Sequence, residues 1–308
     1  MKKIIALILV LTLSVFAFAA CGKKNNDETP DNNQGNTNTD NNNEQTPAEK
    51  TYTLALAVDT TVSEGKVTNY VATLVLDEAS KIVAVRIDCV ETTVALNDEG
   101  AIADVASVAT KVELGNNYNM TSGSFAKQTK AFEDAIVGKT ADEVANLDMT
   151  LVSGCTMPYS PFSFKAVVAK AFASTNKTTF KTSETFTLGV DADMSVSGGK
   201  VSTYYAGVVI IGGKIVADII DCNEIAFTVA DGVITAGAYN GTKVELGDAY
   251  AMTSGSFAKQ TEAFENAIVG KTADEVKNLD MTLVSGCTMP YSPFSFKAVV
   301  ANAIANAR

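Results

Sequence analysis

The chain has no histidine and no tryptophan, and aromatic residues make up only 7% of its 308 positions. Without histidine it lacks the commonest general base, the commonest switch at physiological pH and the commonest metal ligand. No C-x-x-C pair is present, so a zinc site is not expected. G-x-S-x-G, the phosphate-binding P-loop and the dinucleotide fingerprint are also missing. Positive charge is in short supply as well. The formal net charge of −11 makes the chain a poor partner for nucleic acid or for anionic lipid held by electrostatics. No pair of acids stands out by spacing, so a hydrolase built on Asp88 and a second carboxylate has little behind it. No catalytic residue and no metal ligand are assigned.

What is present begins with an address. Met1-Lys2-Lys3 and the apolar run over 4–20 form the basic and hydrophobic regions of a secretory signal. The run ends Phe18-Ala19-Ala20-Cys21-Gly22, which resembles the lipobox of bacterial lipoproteins. That resemblance implies removal of 1–20, lipidation of Cys21 and attachment to the bilayer at the extracytoplasmic face of the cell membrane. Residues 21–50 are Asn, Thr, Asp, Gln and Pro with scarcely an apolar side chain. Such a stretch cannot bury enough surface to offset its ordering entropy, and it is expected to be a disordered tether.

From Thr51 onward the chain repeats itself, giving two expected domains at 51–174 and 183–308. Residues 111–171 align without gaps on 243–303, and only seven of those 61 positions differ. Upstream the copies have drifted, yet Leu56-Ala57-Val58-Asp59 still answers Leu188-Gly189-Val190-Asp191, and Lys81 through Cys89 answers Lys214 through Cys222. A unit of this length is a domain rather than a solenoid repeat.

The first half of each unit reads as strands at 52–58, 67–76 and 82–90, with a second-copy hairpin across Gly212-Gly213 and another across Asp231-Gly232. The second half reads as helices. Phe125, Thr129, Phe132 and Ile136 share one helical face, opened by Ser122 or Ser124, and Thr140 with Glu143 forms a capping box. The last helix is expected to take Ser160 as N-cap and Pro161 as its first residue, with Phe164, Val167, Val168, Ala171 and Phe172 buried. Strands followed by helices predict an α+β fold, each copy an antiparallel sheet with helices on one face. The short polar linker at 174–179 predicts independent domains with limited motion.

Four cysteines remain after Cys21. Pairing Cys89 with Cys155 and Cys222 with Cys287 is the economical choice among three connectivities, with free thiols equally credible. Asp88 and Asp221 sit at expected strand ends, where capping a turn is the simplest role. Tyr118 and Met120, with Tyr250 and Met252 in the second copy, could flank a flat ligand, but a hydrophobic plug under a loop is the favoured reading.

The stretch over 153–168 recurs letter for letter at 285–300. Small and hydroxyl residues ahead of a helix N-terminus can hold an anion on free N–H groups, and they are also an ordinary way to start a helix. Ser153-Gly154-Cys155-Thr156 and its repeat at Ser285 resemble the Ser-Gly-Ala-Thr motif of the FMN-binding domain family. That family occurs in flavoprotein subunits of sodium-translocating NADH:quinone reductase and the Rnf complex, and in flavin-bearing surface lipoproteins. The resemblance covers roughly twenty residues per repeat. It implies FMN esterified through its phosphate to Thr156 and Thr288 by a flavin transferase, with Ser153, Gly154, Ser285 and Gly286 in the binding loops. It also implies electron transfer to a membrane redox partner. Cys155 and Cys287 stand where the motif has Ala, Pro158-Tyr159 displaces its Thr-Ser, and the upstream acidic residue is moved to Asp148 and Asp280. The alternative is a non-redox binding or structural module on the same fold that has lost flavin attachment.

Overall fold

The computed structural model describes residues 48–308, apart from 64, 157–162, 254 and 289–294. The signal, Cys21, nearly all of the tether, Ser160 and Pro161 therefore lie outside the described residues. The first repeat supplies β1 (Lys50–Ser63), β2 (Lys66–Leu76), β3 (Ile82–Thr93) and β4 (Val105–Val108). A two-residue ladder follows, β5 (Asn119–Met120) with β6 (Gly123–Ser124), and then helices α1 (Phe125–Ile136), α2 (Ala141–Ala145) and α3 (Phe164–Ala173). After β7 (Lys177–Thr182), the second repeat supplies β8 (Thr187–Ser197), β9 (Lys200–Ile211), β10 (Lys214–Ala230) and β11 (Val233–Ala236). Its later elements are α4 (Lys243–Leu246), β12 (Ala251–Met252), β13 (Gly255–Ser256), α5 (Phe257–Ile268), α6 (Ala273–Lys277) and α7 (Phe296–Ala305).

The fold is α+β, as the strand and helix patterns predict. One sheet has the order β3-β2-β1-β7 and the other β11-β10-β9-β8-β4, with antiparallel pairing throughout. The two expected hairpin turns form with positive φ at Gly212, Gly213, Asp231 and Gly232, as a primed two-residue turn requires. β2 shows how each sheet is used on both faces. Tyr70, Ala72 and Leu74 pack outward with Phe125, Phe132, Phe164 and Val168 of the helices. Val67, Val71 and Val75 pack inward with Val190, Val201, Tyr205 and Val209 of the second repeat. The second repeat has its own outer layer, Tyr204, Ala206 and Val208 with Phe257, Phe264, Phe296 and Val300. The layers are therefore helices, sheet, sheet, helices, and each fully buried Val, Leu or Phe contributes about 1.5–3 kcal/mol.

This shared inner core replaces the expectation of independent domains, and Pro47–Arg308 is one compact unit. One strand also crosses over, and the linker joins the first sheet. β4, from the first repeat, pairs with β8 of the second, and β7, which takes up much of the presumed linker, pairs with β1 of the first. Where the sheets touch, a Cβ on Gly207 would lie 2.5 Å from Thr73 Cγ2. Nearby, Asn69 Nδ2 donates to Thr203 Oγ1 at 3.0 Å, and Asn223 Nδ2 donates to Asn69 Oδ1 at 3.1 Å and Thr60 Oγ1 at 2.8 Å. These buried amides tie one repeat to the other.

Three local expectations change. The N-cap of α3 is Ser163, whose hydroxyl accepts Ala166 N–H at 3.1 Å. β3 runs three residues past Val90, so Asp88 lies within the strand rather than at its end. Cys89 and Cys222 are free, buried thiols, so neither economical bridge is formed, and burial pushes both thiols up, Cys222 to about 12.

Candidate functional site

The two Ser-Gly-Cys-Thr loops sit on the helical side of their repeats, beside α1 and α5. α1 is capped by Ser124, whose hydroxyl accepts Lys127 N–H, and its stripe of Phe125, Thr129, Phe132 and Ile136 is buried. Gln128 interrupts that stripe. It is 0% exposed, and its Nε2 donates to Gly123 O at 3.3 Å and to Met120 Sδ at 3.8 Å.

The loop arrives from a 3-10 turn at Met149–Leu151, where the Asp148 carboxylate accepts Thr150 N–H at 2.9 Å and Thr150 Oγ1–H at 2.7 Å. These bonds hold the Asp148 carboxyl below its usual range. Gly154 has φ +83°, and an added Cβ would meet only Ala131 Cβ at 3.5 Å. Backbone conformation, not space, demands glycine there. Cys155 N–H donates to Val152 O at 3.2 Å. Cys155 itself is buried in the outer core, so the residue that departs from Ala in the motif points its bulk into packing.

Thr156 is exposed. Its N–H and its Oγ1–H both donate to Gln128 Oε1, at 2.9 and 3.1 Å. It lies at the wall of an open cavity of about 430 Å³ lined by Met149, Thr150, Val152, Ser153, Gly154, Cys155 and Thr156. The second repeat reproduces the arrangement. Thr288 N–H and Oγ1–H donate to Gln260 Oε1 at 2.9 and 3.0 Å, and Gly286 has φ +86°. A cavity of about 350 Å³ is lined there by Met281, Thr282, Val284, Gly286, Cys287 and Thr288. Ser285 is exposed beside it. Both volumes fall in the range of small-molecule sites.

All six sequence-predicted binding residues thus lie in or beside these two cavities, but the helix start expected to follow them does not. α3 begins eight positions after Thr156, and the loop rests instead on the first turns of α1. The N–H groups of Cys155 and Thr156 are already bonded within the protein, so neither is a free anion donor. The residues missed from the sequence are Gln128 and Gln260. The available signal was a glutamine inside an apolar stripe, three positions after Phe125 and one before Thr129.

The other candidates are structural. Asp88 is 1% exposed and accepts from Cys89 N–H at 2.7 Å, Thr110 Oγ1–H at 2.8 Å and Val112 N–H at 3.2 Å. It pins the chain returning toward α1, and burial lifts its carboxyl to about 7 despite those bonds. Asp221 does the same for Thr242 and Val244. Tyr118 meets Phe125 edge-on at 6.3 Å, under Lys111 Nζ at 4.6 Å, and Lys111 is paired with Glu91 at 2.6 Å. Tyr118 and Met120 are packed against the outer core, which is the plug. Among the described residues no cluster of three or more acidic or sulfur ligands is placed to hold a metal, and no helix is long and apolar enough to cross a membrane.

Compared with protein-family models, with curated proteins and with solved structures, the chain has no match in any of the three.

Proposed function

We propose that Thr156 and Thr288 carry FMN, each esterified through the phosphate, on a lipid-anchored protein that passes electrons at the extracytoplasmic face of the cell membrane. The observation that carries this reading is one threonine hydroxyl, exposed at a cavity behind a positive-φ glycine, present twice in the same geometry. The fit to a phosphoester is good at the attachment point. Ser153 and Gly154 bring no bulk to the loop, and the open mouth leaves a phosphodiester's charge in water. Among the described residues, those lining either cavity include no lysine or arginine, so the ester bond, rather than an ionic clamp, supplies retention. Met149 and Val152, with Met281 and Val284, offer the apolar wall against which a flat ring can lie. When bound, the flavin supplies the redox chemistry, and no histidine is needed for it.

The test is to produce the chain with a flavin transferase and measure intact mass and visible absorbance. Wild type is expected to gain two flavin adducts, Thr156→Val or Thr288→Val one, and the double variant none. A wild-type chain without an adduct overturns the reading. It would favour instead a non-redox binding module, a role consistent with loop donors that are already satisfied by Gln128.

A further inference from the structure

We infer that Gln128 and Gln260 are positioning residues that orient Thr156 and Thr288 for covalent modification, an inference that rests on the flavin reading above. An amide side chain can only donate from nitrogen and only accept at oxygen. The nitrogen of Gln128 faces two acceptors, Gly123 O and Met120 Sδ. Its oxygen must therefore be the atom turned to Thr156. There it receives both the backbone N–H and the hydroxyl hydrogen of the same residue, which fixes the loop backbone and the hydroxyl together. The glutamine cannot follow a moving loop, because it is fully buried on α1 next to Thr129, whose hydroxyl is bonded to Phe125 O at 3.2 Å.

The consequence is chemical. With its hydrogen spent on Gln128, the Oγ1 of Thr156 keeps its lone pairs for an electrophile entering the cavity. A neutral amide does not remove the proton, so the base belongs to the modifying enzyme and the chain contributes orientation only. The step transfers a flavin phosphate from a nucleotide-activated pyrophosphate. The Oγ1–P bond forms, the bridging P–O bond breaks, a nucleoside monophosphate leaves, and the threonine proton passes to the transferase. The other threonine of the cavity is held differently, since Thr150 Oγ1–H donates to the Asp148 carboxylate. It serves as an internal control on site choice.

The tandem copies allow a measurement within one molecule. The full chain is incubated with flavin transferase and flavin dinucleotide, and initial rates of adduct formation at Thr156 and Thr288 are read by peptide mass with fragmentation. Gln128→Leu, which cannot accept, is expected to slow Thr156 about ten-fold while Thr288 keeps its wild-type rate. Gln260→Leu should give the mirror result. Gln128→Glu, whose protonated carboxyl can accept the same two bonds at one oxygen and donate from the other to Gly123 O, is expected to restore most of the rate. Gln128→Asn packs as an amide but falls one methylene short, so it should behave like leucine even if the leucine variant folds poorly. Independently of flavin, the Thr156 amide should exchange its hydrogen faster in Gln128→Leu and Gln128→Asn than in wild type or Gln128→Glu. Equal rates at Thr156 and Thr288 in the leucine and asparagine variants, unchanged amide exchange, or an adduct mapped to Thr150 overturns the inference alone. A wild-type chain with no adduct at either threonine overturns the flavin reading and this inference with it.

Discussion

The two repeats hold the same glutamate, buried in the first and partly buried in the second, in opposite company. Glu133 of α1 accepts Ile87 N–H at 2.8 Å and is met by both arginines of the chain, Arg86 at 3.6 Å and Arg308 at 2.7 Å. Its counterpart Glu265 accepts Ile220 N–H at 2.7 Å, but the residue answering Arg86 is Ile219, and the one answering Val85 is Asp218. Asp218 is 3% exposed, and its Oδ2 has no hydrogen-bond partner. A second pair differs the same way. Asp59 is bound by Lys170, whereas Asp191 faces Asn302 and lies near Asp88 and Glu113. Near-identical helices thus do not imply identical energetics. The strands and the partner repeat decide how each buried charge is neutralised, and the second repeat carries the greater burden.

The sharpest break in this comparison concerns backbone spacing. The first repeat has Ala57 where the second has Gly189, and a Cβ on Gly189 would lie 1.9 Å from the carbonyl oxygen of Ala303 in α7. Gly189→Ala should cost about 3 kcal/mol or more by forcing α7 off the sheet. Ala57→Gly, its mirror, should cost only about 1 kcal/mol. Urea unfolding of the two variants measures the gap, and equal costs would remove the asymmetry.

Next in size is Asp218→Val, which gives the second repeat the residue the first already has. Removing a buried carboxyl whose Oδ2 has no hydrogen-bond partner is expected to raise stability by about 1–3 kcal/mol. Burial first, and then repulsion from Glu265, hold Asp218 above the ordinary carboxyl range, and burial with repulsion from Asp221 and Glu262 lifts Glu265 to about 8. The folded state therefore binds more protons than the unfolded one above about pH 4. Stability from this pair is complete below the unfolded pKa and is lost as pH rises through the folded value. The wild-type melting temperature should fall from pH 5 to pH 8, and less steeply in Asp218→Val. An unchanged slope would point to other groups.

The smallest expected change is Asn302→Lys, which copies the Lys170–Asp59 arrangement onto Asp191. A half-exposed lysine on a buried carboxylate should add about 1 kcal/mol near neutral pH. The gain should vanish on acidification as Asp191 takes up its proton. Melting curves at pH 7.5 and pH 4.5 test both halves of that statement.

Much of the secondary structure was legible because local chemistry specifies it. The hairpins at Gly212-Gly213 and Asp231-Gly232, the capping box at Thr140 and the stripe of α1 all rest on residues within a few positions of one another. The error at α3 was of the same local kind. Ser160-Pro161 matches a helix start in composition, but Ser163 supplies the cap. What escaped was the pairing of the repeats, which depends on contacts more than a hundred residues apart. Its trace was nonetheless in the sequence. β2 is apolar on both sides, Val67, Val71 and Val75 alternating with Tyr70, Ala72 and Leu74, and a strand covered on one face alone shows a cleaner alternation. At the candidate site the loop residues were legible as a motif. Gln128 was not, because its role depends on a loop 28 positions away.

The inner core bears on how such a gene can change length. A crossover between the two matching 61-residue stretches would delete 132 residues and leave one complete set of strands and helices. The product would not be a smaller version of the same protein. It would expose Leu54, Leu56, Val71 and Val75, half of an interior with nothing laid against it, and would survive only by finding a twin. Losing one copy by recombination would turn a self-contained chain into an obligate pair.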